Sequence, residues 1–201
     1  MKLRLVREED IPEMLKIYGQ YIHTPITFEY EMPTLKEFSQ RILKICTEYP
    51  CLICEDSGKI AGYAYAHKVR ERAAYNWAAE LSIYLDLESV SHGIGRIMYQ
   101  GLMEELKLQG IKTVYGCVTS PNPASEGLHW SLGFRPAGVW RNVGFKDGKW
   151  HDVLWYEKRI ADYEESPAPV IPFPKVNKHR VEAALEQFNR GGTGILSDSI
   201  E

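Results

Sequence analysis

Ser91-His92-Gly93-Ile94-Gly95-Arg96 joins a run with strand alternation, Trp77–Leu85, to a long amphipathic stretch over 93–109. In that stretch Ile94, Ile97, Met98, Gly101 and Leu102 share one side, the period of a helix packed on a core. Two glycines at a helix start let backbone N–H groups approach an anion closely, and the helix dipole adds favourable charge there. The turn therefore reads as a cradle for a pyrophosphate. A dinucleotide-binding fold would need a third glycine where Met98 stands and an acidic residue near Thr119 and Ser120, so that reading is set aside. A purely structural helix start is the remaining alternative.

Working outward, Lys2–Arg7 alternates as a strand. Asp10, with Glu13 three residues on, predicts a capping box for a helix whose apolar face is Ile11, Met14, Leu15, Tyr18 and Ile22. Thr34 with Glu37 predicts a second, for a helix carrying Leu35, Phe38, Ile42 and Ile45 and ended by Pro50. Cys51–Glu55 and Lys59–His67 form a hairpin across Asp56-Ser57-Gly58. After the glycine turn come a strand at Lys112–Val118 and a short helix over 122–132 stopped by Gly133. Phe134–Asn142 and Trp150–Arg159 close the domain around Lys146-Asp147-Gly148-Lys149. The order β-α-α-β-β-β-α-β-α-β-β predicts an α/β domain (α+β in its mixed sheet) over residues 1–162. Four prolines between Ser166 and Pro174 then predict a Pro-rich linker opening a tail over 163–201. That tail holds one amphipathic helix, with Val181, Leu185 and Phe188, and a mobile end from Gly191.

Bulk properties narrow the function classes. The 201 residues carry a formal net charge of −3, with 44% hydrophobic and 25% charged side chains. That balance argues against a nucleic-acid partner. No apolar run approaches a membrane span, and the N-terminus carries no secretory leader pattern, so a cytoplasmic location is expected. Cys51-Leu-Ile-Cys54 suggests a metal or redox pair, but in a strand residues three apart point to opposite faces. Neither a second such pair nor a histidine cluster accompanies it, so no metal site is expected, and the four cysteines read as reduced thiols.

Three further segments carry a resemblance. Arg72-Ala-Ala-Tyr75-Asn-Trp77-Ala-Ala-Glu80-Leu-Ser-Ile-Tyr84 precedes the glycine turn. Asn122-Pro-Ala-Ser125-Glu-Gly-Leu128-His129-Trp-Ser-Leu132-Gly133-Phe134 follows one strand later, and then Arg141-Asn-Val-Gly144-Phe145-Lys146-Asp-Gly148-Lys-Trp150-His151-Asp152-Val153. In this order, from Leu3 to about Ile160, they resemble the GNAT superfamily, within it the phosphinothricin and methionine-sulfone N-acetyltransferase branch. The resemblance implies acetyl-CoA at the splayed end of the sheet, its pyrophosphate on the amides of Gly93, Ile94, Gly95 and Arg96. Leu81 and Ile83 would line its path, and Asn122 and Ser125 its pantetheine arm. The superfamily usually places Gln or Arg, then Arg, where this chain has Val90 and Ser91, leaving fewer cations for the phosphates.

Transfer of an acyl group to an amine requires a neutral amine, a stabilised oxyanion and a leaving thiolate that can take a proton. Glu80 matches the family's general base, acting through water. His129 stands where many members carry a tyrosine acid; protonating the thiolate and packing a helix against the sheet are both open to it. Arg72, Tyr75 and Lys146 fall in the family's substrate-facing segments and supply donors for an anionic acceptor. Phe28 reads as a lid over its side chain, and Trp150 and His151 as pocket-shaping or subunit-contact residues. The branch often forms homodimers near Arg141–Val153. The expected activity is N-acetylation of a small amino-acid-like amine. Acetylation of protein N-termini, or a non-catalytic acyl-CoA sensor or scaffold, are the alternatives.

Overall fold

The computed structural model describes residues 1–90 and 92–190. The expectations for Ser91 and for a mobile end over 191–201 therefore lie outside the described residues. The elements follow the expected order: β1 (Lys2–Leu5), α1 (Ile11–Gly19), α2 (Leu35–Cys46), β2 (Cys51–Asp56), β3 (Lys59–Lys68), β4 (Ala78–Leu85), α3 (Ile94–Gln109), β5 (Thr113–Ser120), α4 (Pro123–Ser131), β6 (Arg135–Lys146) and β7 (Lys149–Arg159), with α5 (Lys178–Arg190) in addition. The strands form one sheet in the order β1-β2-β3-β4-β5-β7-β6. Among the described residues only β4 and β5 pair in parallel, bridged by the α3 crossover; the other neighbours are antiparallel.

Helices cover both faces because the central strands are apolar on both. Along β2, Leu52 and Cys54 join the core beneath α3 with Ala64, Ala79, Leu81, Met98, Leu102 and Val114. Cys51 and Ile53 join Met14, Ile17, Phe38 and Ile42 under α1 and α2. Cys51 and Cys54 thus point to opposite faces, as strand alternation requires. All four cysteines are free; Cys51 and Cys54 are buried, whereas Cys46 is half-buried and Cys117 exposed.

One feature of this sheet positions a site. Strands β4 and β5 pair from Ala78↔Thr113 to Leu81↔Gly116. Past that point each keeps its outer neighbour, β4 pairing with β3 to Leu85 and β5 with β7 to Ser120. The two strands part, leaving unpaired inner edges that can meet an extended amide-bearing ligand.

Two expectations need correction. Asp10 does not cap α1 with its side chain; a 3₁₀ turn over Glu8–Asp10 precedes the helix. Its carboxylate instead accepts the Arg7 N–H at 2.7 Å and two Arg4 guanidinium bonds at 2.6 and 2.8 Å. Burial pushes the Asp10 pKa up, but the contacts with Arg4 and Arg7 outweigh it and hold the carboxyl below its ordinary value. The reason is Arg4, which is largely withdrawn from water in β1 and needs both Asp10 and Glu55 as counter-charges. Glu13 pairs with Lys16 at 2.6 Å, while the Thr34–Glu37 box forms as expected.

The second correction concerns the tail. Up to Arg190 it is a strap on the domain, not a linker. Phe173, Val176, Val181 and Leu185 are buried in the same core as α3. Its backbone is tied in by Ile171 N–H to Gln109 O at 2.9 Å and Phe173 N–H to Glu48 O at 3.1 Å. The Asn189 side chain bonds both the N–H and the C=O of Leu3, at 2.7 and 3.0 Å, covering the free edge of β1.

Candidate active site

The parting of β4 and β5 opens a cleft with Leu81, Ile83, Asn122, Ser125 and His129 in its lining. Tyr99 of α3 and Ile26 in the loop after α1 also line it. At the mouth, Gly93 precedes α3 with φ 76°, a left-handed conformation suited to glycine. The first bond into the helix is Ile97 N–H to Gly93 O, which leaves the amides just before Ile97 without intrahelical acceptors. Gly95 is buried, and a Cβ there would lie 3.3 Å from Leu128 of α4. Open amides at a helix start beside two unpaired strand edges fit a phosphate-bearing, amide-containing thioester such as acetyl-CoA. The Arg96 guanidinium donates to Ser131 O at 2.6 Å, at the end of α4.

Glu80 stands on β4 opposite His67 of β3 and Tyr115 of β5. Ala79 and Leu81 on either side face the α3 core, so Glu80, Ser82 and Tyr84 face the α1–α2 side. The carboxyl is 17% exposed, with one oxygen 3.8 Å from His67 Nε2. Burial raises its pKa, and the charges of His67 and Arg70 oppose the rise. Glu80 itself is not among the lining side chains, but its neighbours Leu81 and Ser82 are, and a carboxyl held above its ordinary value there has the properties of a general base.

His129 lies on the opposite side of the sheet. Its Nδ1 is 2.7 Å from Ser125 O, so the ring donates from Nδ1 and carries its lone pair on Nε2. Nε2 is buried without a partner, and a Cβ at Gly116 would meet it at 2.0 Å. The ring stacks on Tyr156 at 5.1 Å and meets Phe134 edge-on at 4.9 Å. Burial lowers its pKa. Of the two roles open to His129, packing α4 on the sheet has the geometry, and an Nε2 without a proton is not poised to donate one.

Among the substrate-facing expectations, Lys146 requires correction. Its Nζ is buried and donates to the carbonyls of Ile22, Thr24, Thr27 and Glu29 at 2.7, 2.8, 2.6 and 2.8 Å. An ammonium has three protons, so these four oxygens exhaust it and nothing remains for a substrate. Lys146 instead shapes the loop after α1. Tyr30 OH fastens the same loop to Phe145 O, and Phe28 lies over Gly144, where a Cβ would meet its ring at 2.3 Å. His151 backs Phe28 at 6.2 Å between ring centres.

Arg72 and Tyr75 sit exposed in the β3–β4 connection, Tyr75 in a 3₁₀ turn, and neither lines the cleft. Arg70 of the same connection leans over Trp140 of β6 at 5.9 Å. Sequence reasoning missed Ser82, Tyr84, Cys117 and Thr119, all in the cleft lining. Alternation from Glu80 would have found the first two, since they share its face. Ile26 and His67 carry no local signal, because only folding brings them near β4.

Comparison with known proteins agrees with this architecture. An acetyltransferase (GNAT) domain family matches residues 3–155. The phosphinothricin N-acetyltransferase of Streptomyces viridochromogenes is 31% identical over 177 residues, covering 88% of this chain and 96% of that protein. The L-methionine sulfoximine/L-methionine sulfone acetyltransferase of Pseudomonas aeruginosa is 28% identical, covering 79% and 94%. The GNAT phosphinothricin acetyltransferase of Sinorhizobium meliloti, solved in complex with AcCoA, superposes with a TM-score of 0.79 at 28% identity, over 86% of this chain and 97% of that one. With its splayed β4–β5 cleft, glycine-started α3 and matched sequence over three quarters of its length, the chain belongs to the GNAT family of acetyltransferases.

Proposed function

We propose that the protein transfers the acetyl group of acetyl-CoA to the amine of a small amino-acid-like acceptor of the phosphinothricin, methionine sulfone or methionine sulfoximine type. The observation that carries this reading is the placement of Glu80. It is a largely buried carboxyl one residue before the last β4–β5 pair, beside Leu81 and Ser82 of the cleft lining. The amides of Gly93, Ile94, Gly95 and Arg96 would hold the pyrophosphate. Leu81, Ile83, Asn122 and Ser125, which line the cleft, would flank the pantetheine arm. Glu80 takes a proton from the acceptor ammonium through water, freeing the lone pair for attack on the thioester carbonyl. Collapse of the tetrahedral intermediate breaks the C–S bond, and the leaving CoA thiolate takes up, through water, the proton that the attacking nitrogen loses. Backbone N–H groups near Leu81 polarise that carbonyl. His129 in the neutral form with a bare Nε2 serves as wall rather than acid. Arg72 and Tyr75, exposed on the β3–β4 connection, would close on the acceptor's anionic group as it binds.

We assign the active unit as a homodimer in the cytoplasm. Strand β6 is a sheet edge that exposes Val139, Trp140, Val143 and Phe145, with Trp150 on β7, an apolar surface of the kind that pairs subunits. Sedimentation equilibrium checks the dimer.

The test of the reaction is thiol release from acetyl-CoA with methionine sulfone, methionine sulfoximine, phosphinothricin, ordinary amino acids and N-terminal peptides as acceptors. Glu80→Gln should lower kcat by about 10²–10⁴ with the small acceptors. Turnover confined to peptides would reject the acceptor class, and an unaltered rate in Glu80→Gln would reject the base.

A further inference from the structure

Glu80 is not alone on its face of the sheet. His67 stands directly across from it in the β3–β4 register, with Nε2 3.8 Å from the carboxyl. The other ring nitrogen, Nδ1, is 3.1 Å from the carbonyl of Lys68. That contact uses the Nδ1 proton, so the neutral ring turns its Nε2 lone pair toward Glu80. A lone pair facing a carboxylate is repulsive; a proton shared between the two makes the arrangement favourable. The histidine is 35% exposed and Glu80 17%, so one partner reaches solvent while the other is largely withdrawn from it.

We propose that His67 is a positioning residue for the reaction: it forms with Glu80 a proton-sharing dyad across β3 and β4 that sets the pH range in which the base is ionised. The inference rests on the reading of Glu80 as base. His67 acts through Glu80, as the side chain directly across from it in the register. At 3.8 Å the two groups are within ion-pair reach but beyond a direct hydrogen bond, so proton exchange between them passes through a small side-chain rotation or a bridging water.

The other charged or titratable groups facing the pair are few. Arg70, from the turn after β3, supplies a second positive charge that favours the Glu80 carboxylate. From β5, Tyr115 stands beside Glu80 in the register, and burial first and the Glu80 charge second favour the protonated Cys117 thiol. Tyr99 of α3 lies across the sheet, and burial first and the Glu80 charge second hold it protonated. The ring of Tyr65 lies 6.0 Å from His67 and completes the wall. Burial pushes the Glu80 carboxyl toward its neutral form, and His67 is the largest opposing influence. Removing the imidazolium therefore leaves burial opposed by Arg70 alone, and the base stays protonated to higher pH.

The sign follows for catalysis. The acidic limb of kcat/KM should move up by about 0.5–1 pH unit in His67→Ala and His67→Gln, a fraction of the shift for an unscreened pair because the histidine is partly exposed. In His67→Lys a permanent cation replaces the imidazolium, and the limb should return to the wild-type position or below it. The ¹³C resonance of the Glu80 carboxyl should titrate with the same displacement, a readout independent of turnover. High salt should shrink the difference between wild type and His67→Ala. The inference falls if the alanine and glutamine variants keep the wild-type limb while Glu80→Gln abolishes it, or if their rates drop equally at every pH. Should Glu80→Gln itself leave the limb in place, the base assignment fails first and the dyad with it.

Discussion

Replacing Lys146 by methionine separates two roles that one side chain could play. Methionine keeps most of the volume and apolar stem of lysine but removes the donors, so the change is confined to the buried ammonium. Four carbonyls now converge on that ammonium, from Ile22, Thr24, Thr27 and Glu29. Burial lowers its pKa, while the carbonyl oxygens favour the charged form and keep the proton on. Three charge-assisted bonds at about 1.5 kcal/mol each come to roughly 4–5 kcal/mol, and no longer having to desolvate the ammonium offsets about 1–2 of it. The expected loss is therefore about 3 kcal/mol, or a fall of roughly 6–12 °C in Tm for a chain of this size. Because the freed loop carries Ile26 and Phe28, the KM for the acceptor should also rise several-fold. The KM for acetyl-CoA should hold, since its cradle lies on α3. Differential scanning calorimetry and steady-state kinetics measure both. A variant as stable as wild type, with only the acceptor KM raised, would mean that Lys146 faces the substrate and that the loop-anchoring argument is wrong.

Other consequences are as open to measurement. Gly144→Ala places a Cβ 2.3 Å from the Phe28 ring; the ring must move, raising the acceptor KM about three- to tenfold at a stability cost of about 1–3 kcal/mol. An unchanged acceptor KM would remove Phe28 from the acceptor side. Leu185→Ala in α5 opens a gap in the core shared with α3 and should cost about 2–3 kcal/mol in denaturant unfolding while leaving turnover at 25 °C intact. A cost below about 0.5 kcal/mol would return the tail to the status of an appendage.

The element order was legible in the sequence because each element announces itself locally. Strand alternation, the Thr34–Glu37 box and the Gly93–Gly95 helix start all depend on neighbours within a few residues. Glu80 stands out in the sequence for a related reason, since a carboxylate among Trp77, Leu81 and Ile83 departs from its own surroundings. Where a local signal had a distant competitor, the sequence misled. Asp10 has the spacing of a cap, yet the charge of Arg4 from β1 claims it. Lys146 has the position of a substrate donor, yet carbonyls more than 115 residues away in sequence take its protons. The prolines of 167–174 read as a linker because a pattern of prolines says what the segment cannot pair with, not what it can pack against.

The sequence by itself determined which elements form, the glycine turn between β4 and α3, and the class of chemistry that Glu80 and its neighbouring motifs imply. Tertiary structure alone decided which side chains meet. It parted β4 from β5 past Leu81, turned Glu80 and His129 to opposite faces, folded the tail onto α3, and set His67 across from Glu80. The physical reason is range: propensity and periodicity act over a few residues, whereas charge pairing and burial act across the distances that only a closed fold makes short.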